Sequence, residues 1–182
     1  MKSIKLCVLS LFAIAFLCAP NSCFAGLMDN PRVAVVHFAN KAADHSISVH
    51  DGMLEDLRSI AEIDIMNASD FQYVDRAELK RILDEMQLQR SGLVDPATIS
   101  KLGKFLGAEY LVLGTVTSVS RDRGKYKSHV TLRMVAVETA AVALSGRGTG
   151  AASNLNDSLE KATEDALDGK RGILTMLRGR RR

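Results

Sequence analysis

The stretch from Glu109 to Thr149 constrains this chain more than any other, because it reads as three consecutive strands joined by two short turns. Glu109 to Ser120 alternates around Leu111, Leu113 and Val119, and Arg121 to Gly124 supplies a turn. Lys125 to Val137 then sets Val130, Leu132 and Met134 against Thr131 and Arg133. Thr139 to Ala141 turns once more into Val142 to Thr149. A period of two sends alternate side chains to opposite faces, so the spacing predicts a meander with an apolar face that other elements must cover.

The flanking sequence supplies the cover. Val33 to Phe38, behind Pro31, reads as a buried strand, and Ser46 to Ala61 places Ile47, Leu54, Leu57 and Ala61 on one helical face. Phe71 to Val74 reads as a second strand. The charged stretch that starts at Asp75 carries Leu79, Ile82, Leu83 and Met86 at helical spacing, with Glu78, Lys80, Arg81, Asp84 and Glu85 mostly outside that stripe. Ser91-Gly92 ends that helix. Asp95 and Pro96 open the next as N-cap and first helical residue, Ile99, Leu102 and Leu106 point inward, and Gly107 stops it. A last amphipathic helix, Leu155 to Leu177, carries Leu159, Ala162, Ala166, Ile173 and Leu177, with Gly169 and Gly172 as kink points. The expected order is β-α-β-α-α-β-β-β-α, an α/β (α+β) domain in which a mixed sheet is flanked by helices.

The first 25 residues stand apart from that fold. Lys2 and Lys5 precede an apolar run from Leu6 to Ala19, Pro20 breaks it, and Cys23-Phe24-Ala25 offers small residues at a leader-peptidase site. The expectation is a signal peptide, 1–25, cleaved after Ala25, and a single exported domain over 26–182. The alternative is a lipoprotein acylated at Cys23, against which stands Pro20 where such sites carry Leu. The run is too short for the roughly 20 residues that span a bilayer. Of 182 residues, losing 25 leaves 157, enough for one core, and all three cysteines leave with the leader. Stability then rests on packing. Without Lys2 and Lys5, 22 basic residues face 21 acidic ones, a balance that does not suggest nucleic acid as a partner.

The motifs collected along this path resemble the periplasmic domain of the CsgG family, the curli production assembly and transport components. They are Asp75-Arg76, Leu79, Glu85, Ser91-Gly92, Leu102-Gly103, Gly107-Ala108-Glu109-Tyr110 and Gly114-Thr115, and the resemblance spans about Val33 to Gly150. Where the family pattern has Thr-Gly in the second turn, this chain has Thr139-Ala140. It also has no room for the long membrane hairpins of pore-forming members, since barrel strands need roughly 9 to 11 residues each beyond the soluble fold. The resemblance implies a family domain without the channel, close in design to soluble relatives such as the penicillin-binding-protein activator LpoB. It implies envelope proteins as partners, either a secretion channel or a cell-wall synthase, and leaves homo-oligomerisation open.

The candidate site residues divide into two groups. Asp75, Arg76, Leu79, Glu85, Gly92, Gly107 and Gly114 carry the resemblance and read as architectural, with Asp75 capping the helix start and Arg76 pairing with an acid. Arg178, Arg180, Arg181 and Arg182 concentrate charge at the C-terminal end. They read first as a fraying basic tail (178–182) and second as a peripheral contact with anionic headgroups, at about 1 kcal/mol per basic residue. Gly146, Gly148 and Gly150 lack the Gly-Lys-Ser/Thr of a phosphate loop and read as an eased exit from the last strand. Asp44, His45, His50 and Asp51 are spaced for capping by Asp44 or Ser46 rather than for a shared metal, and His37 and His129 read as structural. No cofactor and no catalytic constellation is expected, so the chain reads as a non-enzymatic interaction protein of the periplasm.

Overall fold

The computed structural model describes residues 30–43, 47–75, 77, 81 and 95–180. Five strands, β1 (Arg32–Asn40), β2 (Gln72–Tyr73), β3 (Tyr110–Asp122), β4 (Lys125–Ala136) and β5 (Val142–Ala152), form one sheet in the order β2-β1-β3-β4-β5. β2, β1 and β3 run parallel, while β3, β4 and β5 are antiparallel neighbours. The described helices are α1 (Asp51–Asn67), α2 (Pro96–Leu106), α3 (Leu155–Asp168) and α4 (Ile173–Arg180). Ala77 and Arg81 are helical as well. The stripe expected at Leu79, Ile82, Leu83 and Met86, like the Ser91-Gly92 stop, lies outside the described residues. The expected mixed sheet with flanking helices, and its element order, is the fold observed.

Alternation along the strands splits the core in two. Val33, Val35, Val112, Val116, Leu132 and Met134 pack on one face beneath α1, α3 and α4. Ala34, Val36, Leu111, Leu113 and Val135 pack on the other beneath Ile99, Leu102 and Leu106 of α2. Because α2 lies over β1 and β3, the outer parts of β4 and β5 on that second face stay open: His129, Ser145, Arg147 and Thr149 are exposed.

The local signals act as the chemistry requires. Asp95 Oδ2 accepts the Thr98 N–H at 3.0 Å and Pro96 follows it. Gly107 closes α2 at φ 58° with its N–H turned back to Gly103 and Lys104. The β3–β4 turn narrows to Arg123 and Gly124, at φ 48° and 79°, the pair of positive angles that a two-residue type I′ hairpin demands. In the next turn Ala140 holds φ 53°, a left-handed conformation at the position where the family pattern has Gly.

Three expectations need correction. α1 begins at Asp51 and not at Ser46, and His50 is its N-cap, with Nδ1 accepting the Met53 N–H at 3.4 Å. The last helix is two, since α3 is capped by Gly169 and the Gly172 N–H donates to Gly169 at 2.8 Å before α4 starts. Gly146, Gly148 and Gly150 are no strand exit: β5 runs on to Ala152, and all three lie inside it, on the face under α3. A Cβ on them would come within 3.0 Å of the backbone oxygens of Ala166, Ala162 and Ser158 respectively. The glycines therefore let a helix lined with small residues sit directly on the strand.

Candidate interaction face

The open outer part of the sheet is the part of the described surface on which strand geometry gathers charge. Register places Thr131 opposite Arg147 and His129 opposite Thr149 on the part of the face that α2 leaves uncovered, and Arg133 opposite Ser145 nearer α2, where Arg133 is half-buried and lines a second cavity with Ile99. Beside β5 the α3–α4 connection adds Lys170 and Arg171, and with His129, Thr131, Arg147 and Thr149 they bound a shallow depression of about 750 Å³ that also reaches Thr117, Ser118 and Asp165. Lys127 flanks the face one step further along β4 and pairs with Asp122 at the hairpin end, at 3.6 Å. Arg121 lies over the Tyr126 ring, 5.1 Å from its centre.

The edge of the sheet here is already engaged. Arg147 donates its backbone N–H to the Arg171 carbonyl at 3.2 Å, and Thr149 donates its own to Asp165 Oδ2 at 2.9 Å. An edge strand left bare would recruit other strands, and these two bonds cover its middle. Beneath, the support is rigid: Ser128 and Ser158 are fully buried, Ser128 Oγ donates to the Ser158 carbonyl at 2.6 Å, and Ser158 Oγ donates to Gly150 O at 3.1 Å. These polar bonds fix α3 on β4 and β5.

The residues singled out in the sequence do not form this site. Asp75 Oδ1 accepts the Ala77 N–H at 3.1 Å at the end of β2, whereas Arg76, Leu79, Glu85 and Gly92 lie outside the described residues. Gly107 ends α2, with the Arg32 guanidinium where its Cβ would be, and Gly114 lies under the Phe38 ring in the parallel pair β1–β3. Arg178 is engaged inside the domain: it reaches Asp168 at 2.8 Å and Asp70 at 3.4 Å, which ties α4 to the end of α3 and to the loop after α1. Its charge is therefore shared with two carboxylates and is not displayed as part of a free tail. The Arg180 side chain, Arg181 and Arg182 lie outside the described residues. His129, read as structural, is exposed on the open face. Strand alternation at Lys127, His129, Thr131 and Arg133, matched with Ser145, Arg147 and Thr149, is the signal that could have found the face.

Elsewhere, a buried polar cluster between α1 and β2 serves packing. Arg58 and Glu62 are buried on α1 and paired, Arg58 also holds Glu55 at 3.0 Å, and the Tyr73 hydroxyl donates to Glu62 at 2.5 Å. Burial pushes the Tyr73 phenol up, and the Glu62 hydrogen bond pushes it further, so it stays protonated as a donor. Burial works against the Arg58 charge, but the hydrogen bond to Glu55 and the charges of Glu62 and Glu55 outweigh it and hold the guanidinium above its ordinary value. Among the described residues no three His, Cys, Asp or Glu side chains gather as metal ligands, and no helix is long and apolar enough to cross a membrane.

Comparison with known proteins matches the architecture. The family model described as "Curli production assembly/transport component CsgG" matches residues 25–123, more than half of the chain. Among solved structures, lipoprotein GNA1162 from Neisseria meningitidis superposes with a TM-score of 0.54 at 13% identity, over 82% of this chain and 92% of that one. The C-terminal domain of LpoB from Escherichia coli gives 0.51 at 15% identity, and that from Salmonella enterica 0.50 at 14%, each over 69% of this chain and 84% of the other. At these identities the likeness is one of fold. No curated protein matches the sequence.

Proposed function

Since this chain belongs to the CsgG family, we propose that it is a non-enzymatic interaction protein of a Gram-negative-type cell envelope, exported to the periplasm and accessory to secretion or to assembly of an outer-membrane complex. The observation that carries the reading is the open face of β4 and β5. A rigidly backed sheet presents Arg147 beside hydroxyl side chains, and the adjoining α3–α4 connection adds Lys170 and Arg171, a concentration of positive charge suited to a partner of opposite charge. The leader-like sequence over 1–25, Lys2 and Lys5 before the apolar run Leu6 to Ala19, supports export to the periplasm, and acylation at Cys23 would instead hold the domain at the outer membrane. The fold shared with the LpoB C-terminal domain favours a second reading, activation of a penicillin-binding protein.

Affinity capture from an envelope extract, with identification of the retained protein, tests both. A secretion channel or outer-membrane component supports the first reading, and a cell-wall synthase supports the second. Turnover of a peptidoglycan or peptide substrate, with no protein retained, overturns both.

A further inference from the structure

Resting on the reading of this chain as an interaction protein, we infer that the open face of β4 and β5 docks an acidic polypeptide segment of the partner, one with carboxylates at alternate residues. Charge is the first argument. Arg147, Lys170 and Arg171 line the depression, Arg133 follows two residues along β4 from its Thr131, and the carboxylate among its lining residues, Asp165, already accepts the Thr149 N–H. An arginine fork matches a carboxylate with two parallel hydrogen bonds.

Spacing is the second. The β4–β5 register makes Arg133 and Arg147 diagonal neighbours across the pair, roughly 7 to 8 Å apart at the backbone. An extended chain repeats its side chains at about 6.8 Å every second residue, so carboxylates at alternate positions reach both cations in turn. Thr131 stands opposite Arg147, and Thr149 lies two residues further along β5, so both offer hydroxyls to peptide groups beside that cation.

The lining also argues against other partners. It includes no Phe, Tyr or Trp, the rings on which sugars and bases stack, and no exposed large apolar side chain to enter a membrane. The bonds from Arg147 and Thr149 close the middle of the β5 edge, so recognition runs through side chains on the face and not through an added strand.

Fluorescence anisotropy with a labelled decapeptide of alternating Glu and Thr tests this, at low and at raised ionic strength. The peptide should bind, more weakly as salt rises, and Arg147→Ser with Arg171→Ser should cost about tenfold or more in affinity, as the loss of charged hydrogen bonds does. That double variant keeps the backbone bond between the two residues. Arg123→Asn at the hairpin tip, where Asn tolerates the positive φ, should leave binding unchanged. No binding of the peptide, an equal loss in Arg123→Asn, or binding only to vesicles of phosphatidylglycerol and phosphatidylcholine would each overturn the inference. If the double variant still captures the envelope partner in full, the docking face is wrong while the interaction reading stands. If the wild-type protein captures none, the interaction reading itself fails.

Discussion

Gly148 of β5 lies directly beneath the carbonyl of Ala162 of α3, in the middle of a run that places Gly146 under Ala166 and Gly150 under Ser158. The helix touches the strand backbone to backbone, and no side chain stands between them. Gly148→Ala should therefore act as an overpacked core substitution, costing about 3 kcal/mol, because the atoms in the way are main chain and cannot swing aside. Urea denaturation monitored by circular dichroism reads this directly. A cost under about 0.5 kcal/mol, the range of an ordinary surface change, would mean that α3 is not seated as described.

Ala140 offers the opposite case. Its φ of 53° lies in the left-handed region, which disfavours any residue with a Cβ. Ala140→Gly should remove that strain and raise stability by up to about 1 kcal/mol, offset in part by the greater freedom of Gly in the unfolded chain. A fall in melting temperature would show that the turn does not hold this conformation.

These two turn and strand positions also mark how far the sequence was legible. Alternation in Lys125 to Val137, the cap at Asp95 and the stop at Gly107 depend on neighbours in the chain, and the structure follows them closely. The glycines of β5 read as a strand exit from sequence alone because their reason is a helix that follows the strand and folds back onto it. Their inward period of two, continued from Leu144 to Ala152, was the available hint. Arg178 could not be placed from sequence, since its partner Asp70 is 108 residues away. The interaction face was missed likewise, because Arg133 and Arg147 come together only once the β4–β5 register is known.

Asp64, near the end of α1, supplies a pH-dependent test. Burial raises its pKa above the ordinary 3.8, and the charge of Asp168 raises it further. A raised folded-state pKa means that the folded protein holds this proton more tightly. The resulting stability is fully present below about 3.8 and is lost as pH rises through the raised value, so at neutral pH the charged group opposes folding. Asp64→Asn should thus raise the melting temperature at pH 7, by an amount within the roughly 1 kcal/mol of partly exposed charge pairs. Its advantage should shrink toward zero as the pH falls below about 3.8. An advantage that is constant across the range would assign the effect to the helix end and not to titration.

On the proposed function, the open face of β4 and β5 meets another protein of the envelope. Site-specific photocrosslinking in living cells measures this most directly, with a photoreactive residue placed at Thr149 on the open face and, separately, at Glu160 on the exposed side of α3. Thr149 should give an adduct with a second envelope protein, diminished by Arg147→Ser with Arg171→Ser, and Glu160 should give none. Adducts from Glu160 alone, or an adduct from Thr149 that the double variant leaves unchanged, would contradict docking at this face.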